Sequence, residues 1–380
     1  MTASRLVGNR CGPRYGADVR WSATPGVRVA RIAVIGGDGI GPEVCAVALR
    51  VLHALEGLEG GAQFVTETFP WGSDHFLRTG AMLPADGLTT LAGFDAILFG
   101  AVGSREVPDH VTLWGLRLAI VQSFDLAVSL RPARLLAGVR GPLAGRAPKD
   151  IDLVVVRENT EGEYSGAGGF SRRGLDGEMA VQTTIYSRAA IARTARYAFE
   201  LARARPARRL ASITKSNASP HASVLWDEVV AEVGAEYPDV AWESVLVDAA
   251  AARLVLAPQE FDVIVASNLH GDVLSDLTGA LAGSLGMAPS ANLSLDGARP
   301  SMYEPVHGSA FDLVGRGLAN PVGMILSVAL MLDDLKLPAC AGAVRDAVAA
   351  ACRQGILTRD VGGQATTAEV ADAIVAALSR

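Results

Sequence analysis

The sequence lacks the features that would take a protein into a membrane, onto nucleic acid or into an oxidising compartment. No apolar run approaches the roughly 20 residues needed to span a bilayer, and the longest one, residues 324–332, suits a buried helix. A formal net charge of −6 argues against nucleic acid or an anionic membrane as the main partner. The four cysteines show neither CxxC pairing nor zinc-like spacing. The simplest interpretation is a reduced cytoplasmic protein.

Lysine is also scarce, because the chain has only three, at positions 149, 215 and 336, and arginine supplies nearly all the positive charge. A lysine inside a motif is therefore more informative than usual. The first 30 residues are rich in arginine and contain a single acidic residue, a composition that a transit peptide would share. Since the arginine bias extends over the whole chain, we favour the alternative, a disordered extension over residues 1–30.

What the sequence does contain is material for a large globular fold. Half of the 380 residues are hydrophobic and 19% are charged, in a chain long enough for two lobes. Short apolar runs alternate with helical periodicity, as in α/β folds with a largely parallel sheet. The predicted strands include residues 31–35, 96–99, 153–156 and 263–266, and the predicted helices include residues 42–55, 189–212 and 339–352.

A glycine-rich turn over residues 36–41 follows the first predicted strand. Its spacing is not G-x-G-x-x-G, because Gly37 and Gly39 fit the pattern but Pro42 stands where the third glycine is required. We therefore interpret the segment as a tight strand-to-helix turn near a cofactor, and we predict a fold that is not a GxGxxG Rossmann domain.

Acidic side chains follow one of the predicted strands, at the place where α/β folds collect ligands. Asp272 and Asp276 are four residues apart, so on a helix they would share one face and could bind one divalent cation. Ligation by oxygen alone favours Mg²⁺ or Mn²⁺ over zinc. Taken by itself, the spacing fits solvated acids on a capped helix somewhat better, and that alternative stays open.

Four further short motifs carry polar side chains. Arg157 ends a predicted strand and is followed by an acidic loop that contains Tyr164. Lys215 lies in a Thr-Lys-Ser-Asn segment, and Asp248 lies between a valine and an alanine. Residues 304–310 form a loop of small residues, where a backbone can approach a ligand closely. Taken alone, the Arg157 motif could be a turn with surface acids, and for the Lys215 and Asp248 motifs a segment without a functional role is the better interpretation.

Together, in their order and spacing, these motifs resemble the isocitrate/isopropylmalate dehydrogenase family of β-decarboxylating dehydrogenases. The resemblance extends from Arg31 to about Leu335, and it is greatest to the tartrate dehydrogenase/D-malate dehydrogenase (decarboxylating) branch. The segments that support this branch are residues 101–103, 107–115, 155–165, 288–293 and 304–310.

The resemblance implies a two-lobed α/β fold like that of isopropylmalate dehydrogenase, with a largely parallel sheet. Residues 31–126 and 283–380 would form a large cofactor-binding domain. Residues 127–282 would form a smaller domain for dimerisation and for binding the substrate and the metal ion. The partners implied are a small hydroxy diacid and a second copy of the chain, with neither nucleic acid nor membrane.

The resemblance also implies a role for each matched residue. Lys215 would be the base that takes the substrate hydroxyl proton, and Tyr164 would protonate the enol after CO₂ leaves. Lys215 and one metal ligand, Asp248, would come from the partner subunit. The other implied residues are the metal ligands Asp272 and Asp276, the substrate-binding Arg131 and Arg157, and the cofactor-binding His307, Gly308, Ser309, Ala310, Asp312 and Asn320.

On this basis we expect NAD-dependent oxidation of a malate-like 2-hydroxy acid, of the D-malate or tartrate type, followed by β-decarboxylation of the 2-oxo acid. The expected cofactors are NAD and Mn²⁺ or Mg²⁺, and a role for K⁺ stays open. Asp312 favours NAD over NADP, because a carboxylate accepts hydrogen bonds from the ribose and repels a 2′-phosphate. A biosynthetic enzyme for a modified malate and a catalytically silent paralogue remain as alternatives.

One departure from the family concerns substrate binding. Val121 stands ten residues before Arg131, at a position where relatives carry an arginine. Arg117, four residues earlier and on the same predicted helix face, would replace that arginine as a substrate-binding residue. Alternatively, the substrate lacks the group that the missing arginine binds.

Two smaller departures affect loops near the predicted site. Ser104-Arg105 occupies a place where the branch tends to have Trp-Pro, and Phe311 follows Ala310 where proline is usual. The first change would reshape the substrate pocket, and the second lies near the predicted adenosine site. The sequence therefore supports the chemistry better than it supports any particular substrate.

Overall fold

The computed structural model describes residues 29–56 and 62–378. The predicted extension over residues 1–30 lies outside these ranges, except for Val29 and Ala30, which belong to the first strand. The predicted boundary is thus two residues too late, because Ala30 already pairs with Phe64 of the neighbouring strand. Within the described ranges, no helix is both long and apolar enough to cross a membrane.

Twelve strands are formed by the described residues. In chain order they are β1 Val29–Gly37, β2 Gln63–Phe69, β3 Ala96–Ala101, β4 Val128–Arg134, β5 Asp152–Glu158, β6 Gly168–Ser171, β7 Met179–Gln182, β8 Arg209–Thr214, β9 Ala241–Leu246, β10 Val263–Ala266, β11 Pro289–Leu293 and β12 Ser301–Pro305. Ten of them form one sheet in the order β2-β1-β3-β12-β11-β4-β5-β10-β8-β9, while β6 and β7 form a separate antiparallel hairpin.

The large sheet is mostly parallel but changes direction at its centre. The group β2-β1-β3-β12 is parallel, and so is the group β5-β10-β8-β9. Between them lie three antiparallel pairings, β12 with β11, β11 with β4, and β4 with β5. Because the number of reversals is odd, the two parallel groups run in opposite directions. This is the α/β class with a largely parallel sheet that the sequence predicts.

The described residues also form α-helices, of which α1, α6, α7, α8, α9 and α10 pack against the sheet. The helices are α1 Gly41–Leu55, α2 Ser73–Thr79, α3 Gly87–Leu91, α4 Asp109–Thr112, α5 Leu118–Ser123, α6 Arg188–Ala204, α7 Ala222–Gly234, α8 Val247–Leu256, α9 Asn268–Leu281, α10 Val322–Asp334, α11 Pro338–Arg353 and α12 Thr367–Leu378. A π-helical turn, Leu113–Arg117, joins α4 to α5. Along β1, Ile32 and Val34 enter one apolar cluster and Ala33 and Ile35 enter another, so both faces of the sheet are buried there.

Most predicted elements form close to their expected limits. Helix α1 begins one residue before the predicted start, and β10 coincides with the predicted strand. The helix predicted over residues 189–212 is wrong in its last part, because α6 ends at Ala204 and β8 begins at Arg209. Arg205 is extended, as residues before proline usually are, and Pro206 cannot continue a helix.

The strand order follows the predicted division of the chain. The five strands on one side of the sheet, β2, β1, β3, β12 and β11, come from residues before 127 or after 282. The five on the other side, β4, β5, β10, β8 and β9, come from residues 127–282. The sheet nevertheless crosses this limit without a break, since β11 pairs with β4. The assignment of separate cofactor and dimerisation domains therefore stays a prediction.

Candidate active site

The glycine-rich turn after β1 is closed tightly onto the predicted cofactor segment. Gly37 and Gly39 have φ angles of 68° and 59°, in the region that favours glycine. A Cβ atom on Gly39 would lie 2.0 Å from the carbonyl oxygen of Ser309, and the Ile40 amide donates to that oxygen at 2.9 Å. The turn is thus packed against Ser309 of the predicted cofactor segment, and its position near a cofactor stays a prediction.

A cavity of about 570 Å³ lies beside this turn, and Ile40, His307, Gly308, Ala310 and Asn320 are among the residues that line it. Its volume is in the range of small-molecule sites. The Nε2 atom of His307 is buried and has no hydrogen-bond partner within the described residues, and burial lowers the pKa of this histidine. A neutral, unpaired ring nitrogen at the wall of a cavity fits a ligand that forms hydrogen bonds, such as an adenosine.

Two other predicted cofactor residues, Ser309 and Asp312, are placed differently from those that line the cavity. Ser309 is buried, and its hydroxyl donates to the carbonyl oxygen of Gly103 at 3.0 Å. Asp312 is exposed and is not among the residues that line the cavity, and its backbone carbonyl accepts a hydrogen bond from Arg316 at 3.0 Å. Arg316 and Arg359 line the cavity, and sequence reasoning missed both of them. The preference for NAD that Asp312 implies stays a prediction.

Three predicted site residues contact a fourth, Asp272, which lies near the start of α9. Its Oδ1 atom accepts hydrogen bonds from Arg131, at 3.2 Å, and from Arg157, in a very close ion pair. Its Oδ2 atom accepts one from the Tyr164 hydroxyl at 2.9 Å. Asp276, one turn later on the same helix, lies 3.8 Å from Arg131. The cluster forms because Arg131 projects from β4 and Arg157 ends β5, next to it in the sheet.

The charges of this cluster fix its protonation. Burial alone would raise the pKa of Asp272, but the charges of Arg157 and Arg131 outweigh it and hold the pKa below its usual value. Burial, with the nearby charge of Asp272, raises the pKa of Asp276. Burial and Asp272 also raise the pKa of Tyr164. At neutral pH the tyrosine therefore carries a proton that it can donate, next to an ionised carboxylate.

The carboxylates of Asp272 and Asp276 fit one side of a divalent-cation site. Both are oxygen donors on one helix face, and the Asp276 side chain is 57% exposed. In the ranges that the structure describes, no three histidine, cysteine or acidic side chains come together in a way that could hold a metal ion. One chain thus supplies two of the three predicted ligands, and the third, Asp248, lies elsewhere on the surface.

Lys215 and Asp248 form a second, exposed pair. Lys215 follows β8 and Asp248 begins α8, directly after β9, and these strands are neighbours at the edge of the sheet. The Lys215 Nζ atom donates to Asp248 Oδ1 at 2.6 Å, and this hydrogen bond holds the pKa of Asp248 below its usual value. Neither side chain forms a hydrogen bond with the Asp272 cluster of the same chain. The structure therefore brings the predicted base and the third predicted ligand to each other.

Arg117 is buried in a polar network close to the Asp272 cluster. Its Nε atom donates to both Glu304 oxygens, at 2.9 and 3.1 Å, and its Nη2 atom donates to Asn292 at 3.3 Å. The charge of Arg117 contributes to the pKa values of Asp272 and Tyr164. Sequence reasoning flagged Glu304 only as part of a loop motif and gave Asn292 no role.

Arg117 and Val121 lie in different surroundings. Arg117 is the last residue of the π-helical turn, whereas Val121 is fully buried in an apolar cluster with Leu116, Phe124 and Met302. Position 121 therefore faces the core, and an arginine there would meet apolar side chains in this chain. A guanidinium near the site is supplied from position 117 instead, but Glu304 neutralises it.

Asp38 lies within the glycine-rich turn, and sequence analysis gave it no role. It is buried, and its Oδ1 atom accepts from the Ser73 amide at 2.7 Å. Its Oδ2 atom accepts from the Ser73 hydroxyl at 2.8 Å and from the Gly103 amide at 2.9 Å. One carboxylate thus ties together the loops after β1 and β3 and the start of α2. Its only signal in the sequence is an acid placed between two glycines that need positive φ.

Comparisons with known proteins agree with this geometry. The family model described as isocitrate/isopropylmalate dehydrogenase matches residues 31–374. A protein of Agrobacterium vitis named "Probable tartrate dehydrogenase/decarboxylase" is 52% identical over 353 residues, which cover 93% of this chain and 99% of that protein. The D-malate dehydrogenase (decarboxylating) of Escherichia coli K12 is 45% identical, over 92% of this chain and 98% of its own length. The crystal structure of isocitrate dehydrogenase from Methylococcus capsulatus superposes with a TM-score of 0.83 at 32% identity, covering 92% of this chain and all of the other.

The chain therefore belongs to the isocitrate/isopropylmalate dehydrogenase family and is an oxidoreductase. The names of its relatives confirm the tartrate and D-malate dehydrogenase branch expected from the sequence. The structural neighbour confirms the two-lobed fold class of isocitrate and isopropylmalate dehydrogenases, without a GxGxxG Rossmann domain.

Proposed function

We propose that this protein oxidises a malate-like 2-hydroxy acid of the D-malate or tartrate type with NAD and then releases CO₂ from the 2-oxo acid. The observation that carries the proposal is the cluster in which Asp272 contacts Arg131, Arg157 and Tyr164, beside a second carboxylate. Two arginines suit the two carboxylates of such a substrate, because a guanidinium binds a carboxylate with two parallel hydrogen bonds.

Asp272 and Asp276 would hold a Mn²⁺ or Mg²⁺ ion together with Asp248 of the partner subunit. When bound, such an ion polarises the hydroxyl and carbonyl oxygens of a 2-hydroxy or 2-oxo acid. The arginines are well placed to keep Asp272 ionised until the ion binds, since both already hold its pKa down. A role for K⁺ remains open, and no particular residue supports one.

Tyr164 and Lys215 would move the protons. Tyr164 is held by Asp272 and by the Arg157 guanidinium, 5.1 Å from the centre of its ring, and would protonate the carbon left by CO₂. Lys215 would accept the proton of the substrate hydroxyl, which requires its neutral form.

NAD would occupy the cavity lined by His307, Gly308, Ala310 and Asn320. The unpaired Nε2 atom of His307 is the observation that supports an adenosine there. Ser309 would act through its backbone N–H, because its carbonyl oxygen already accepts from Ile40 and its hydroxyl already donates to Gly103. Asp312, which is exposed and lies two positions after the lining residue Ala310, would contact the ribose.

A homodimer follows from the proposed roles, since Lys215 and Asp248 must reach the Asp272 cluster of another copy. Helices α8 and α9, which carry Asp248 and Asp272, also expose large apolar side chains. Leu256 on α8 is 72% exposed and Val273 on α9 is 61% exposed. Apolar surface beside incomplete catalytic groups is typical of an interface between subunits.

The proposal is tested by measuring NADH formation with Mn²⁺ on D-malate, the tartrates, 3-isopropylmalate and isocitrate. Turnover of D-malate or tartrate would support it. Turnover of 3-isopropylmalate alone would favour the biosynthetic alternative, and silence on every acid, with Mn²⁺ and NADH still bound, would refute the proposed substrate class. We also propose the cytoplasm as the compartment, where the free, buried Cys45, Cys340 and Cys352 would stay reduced.

A further inference from the structure

Two of the positions that depart from the family touch each other. The Arg105 guanidinium lies 5.4 Å from the centre of the Phe311 ring, within the range of a cation–π contact. Both residues are exposed, and in the parts of the chain that the structure describes, no carboxylate pairs with Arg105. A guanidinium held over a ring, without a counter-ion, is available to an anionic ligand.

The pair stands at the rim of the proposed cofactor cavity. Phe311 directly follows Ala310, which lines the cavity. The loop that carries Arg105 is fixed to the same segment, because the Ser309 hydroxyl donates to the Gly103 carbonyl at 3.0 Å and Asp38 accepts from the Gly103 amide at 2.9 Å. Arg105 is therefore held beside the cavity by the loops on both sides of the contact.

We propose that Arg105, held on the Phe311 ring, binds the diphosphate of the dinucleotide. The inference rests on the proposed function, which places adenosine in the cavity and the reacting end of the cofactor near the Asp272 cluster. The diphosphate joins these two ends, and it carries negative charge that a planar guanidinium binds with paired hydrogen bonds. Phe311 is then a positioning residue, because it orients the guanidinium without touching the ligand.

The test measures binding without turnover. Fluorescence titration gives the Kd of NADH, and competition gives the Kd values of ADP and adenosine for wild type and for Arg105→Gln. Loss of a charged contact at an exposed rim should weaken NADH and ADP about tenfold. Adenosine, which carries no phosphate, should change by less than about twofold. High salt should reduce the difference between wild type and variant, since the contact is exposed.

Two further variants separate the contact from a general disturbance. Phe311→Leu should weaken ADP about two- to fivefold, as expected for an exposed cation–π contact, and should add nothing to Arg105→Gln. Arg299→Gln is the matched control, because Arg299 lies over the Phe124 ring at 5.8 Å, in the turn between β11 and β12. This control should leave all three Kd values unchanged.

Several outcomes would overturn the proposal. They are an unchanged ADP affinity in Arg105→Gln, an equal loss for ADP and adenosine, and a wild-type protein that binds no ADP. A wild-type protein that binds NADH through Arg105 but oxidises no hydroxy acid would instead refute the proposed function and leave this inference standing. The two failures are therefore distinguishable.

Discussion

Replacing Glu304 by glutamine should destabilise the fold, because it leaves the Arg117 guanidinium buried without its counter-ion. The two side chains are 7% and 9% exposed, and nitrogen–oxygen contacts of 2.7 to 3.1 Å join them. Removing one partner of a buried ion pair costs about 3–5 kcal/mol. The glutamine keeps one oxygen as an acceptor, so we expect a loss of about 3 kcal/mol, at the lower end of that range.

Urea denaturation at one fixed protein concentration would measure this change in the free energy of unfolding. The exposed Arg50–Asp372 pair provides the control, because its side chains are 46% and 65% exposed. Asp372→Asn should cost less than about 1 kcal/mol. Adding Arg117→Met to Glu304→Gln removes both charges, so the double variant should be more stable than Glu304→Gln alone.

The same pair predicts a dependence on pH. Burial alone would raise the pKa of Glu304, but the charge and hydrogen bonds of Arg117 outweigh it, so the folded-state pKa lies below the ordinary 4.5. Such a group contributes stability above its unfolded pKa and loses it as the pH falls through the folded pKa. The difference between wild type and Glu304→Gln should therefore shrink below pH 4.5. Equal stability of the two proteins at neutral pH would refute this reasoning.

Three other changes test the proposed site. Lys215→Met should lower kcat by about 10²–10⁴-fold and leave the affinity for NADH unchanged. Mixing this variant with the Asp272→Asn variant should restore about a quarter of the activity, because one intact site forms in each mixed dimer. Retained turnover in Lys215→Met would exclude its role as the base. Tyr164→Phe should lower kcat about 100-fold while changing the KM little, which steady-state kinetics would detect. Gly39→Ala should raise the Kd of NADH at least tenfold, since the new Cβ would meet the Ser309 carbonyl at 2.0 Å; a normal Kd would show that the turn does not shape the cofactor site.

The sequence predicts those parts of the fold and site whose cause is local. Strand β10 is a short apolar run bounded by polar residues, and α1 starts at a glycine-proline step, so both appear where the pattern places them. The four-residue spacing of Asp272 and Asp276 likewise suffices for one helix face. The helix predicted from the alanine-rich pattern over residues 189–212 is wrong only from Arg205, the residue before Pro206, onwards. Composition alone does not distinguish the end of α6 from the start of β8.

What the sequence could not predict depends on contacts between distant residues. Arg117 and Glu304 are 187 positions apart, and nothing near either one indicates its partner. Asp38 and Gly103 meet only because β1 and β3 are neighbours in the sheet. The π turn that ends at Arg117 has no local signature, and nothing near Val121 in the sequence indicates that its side chain is buried in the core.

Under the proposed roles, the placement of the charged groups makes catalysis depend on assembly. The Asp272 cluster contains a tyrosine, two arginines and two carboxylates, whereas Lys215 and Asp248, which follow the neighbouring strands β8 and β9, pair with each other at 2.6 Å. Under those roles, a partner subunit whose metal ion draws Asp248 away would separate it from Lys215. The isolated chain would lack both the base and the third ligand at its Asp272 cluster, so the dimer would have to supply the two together.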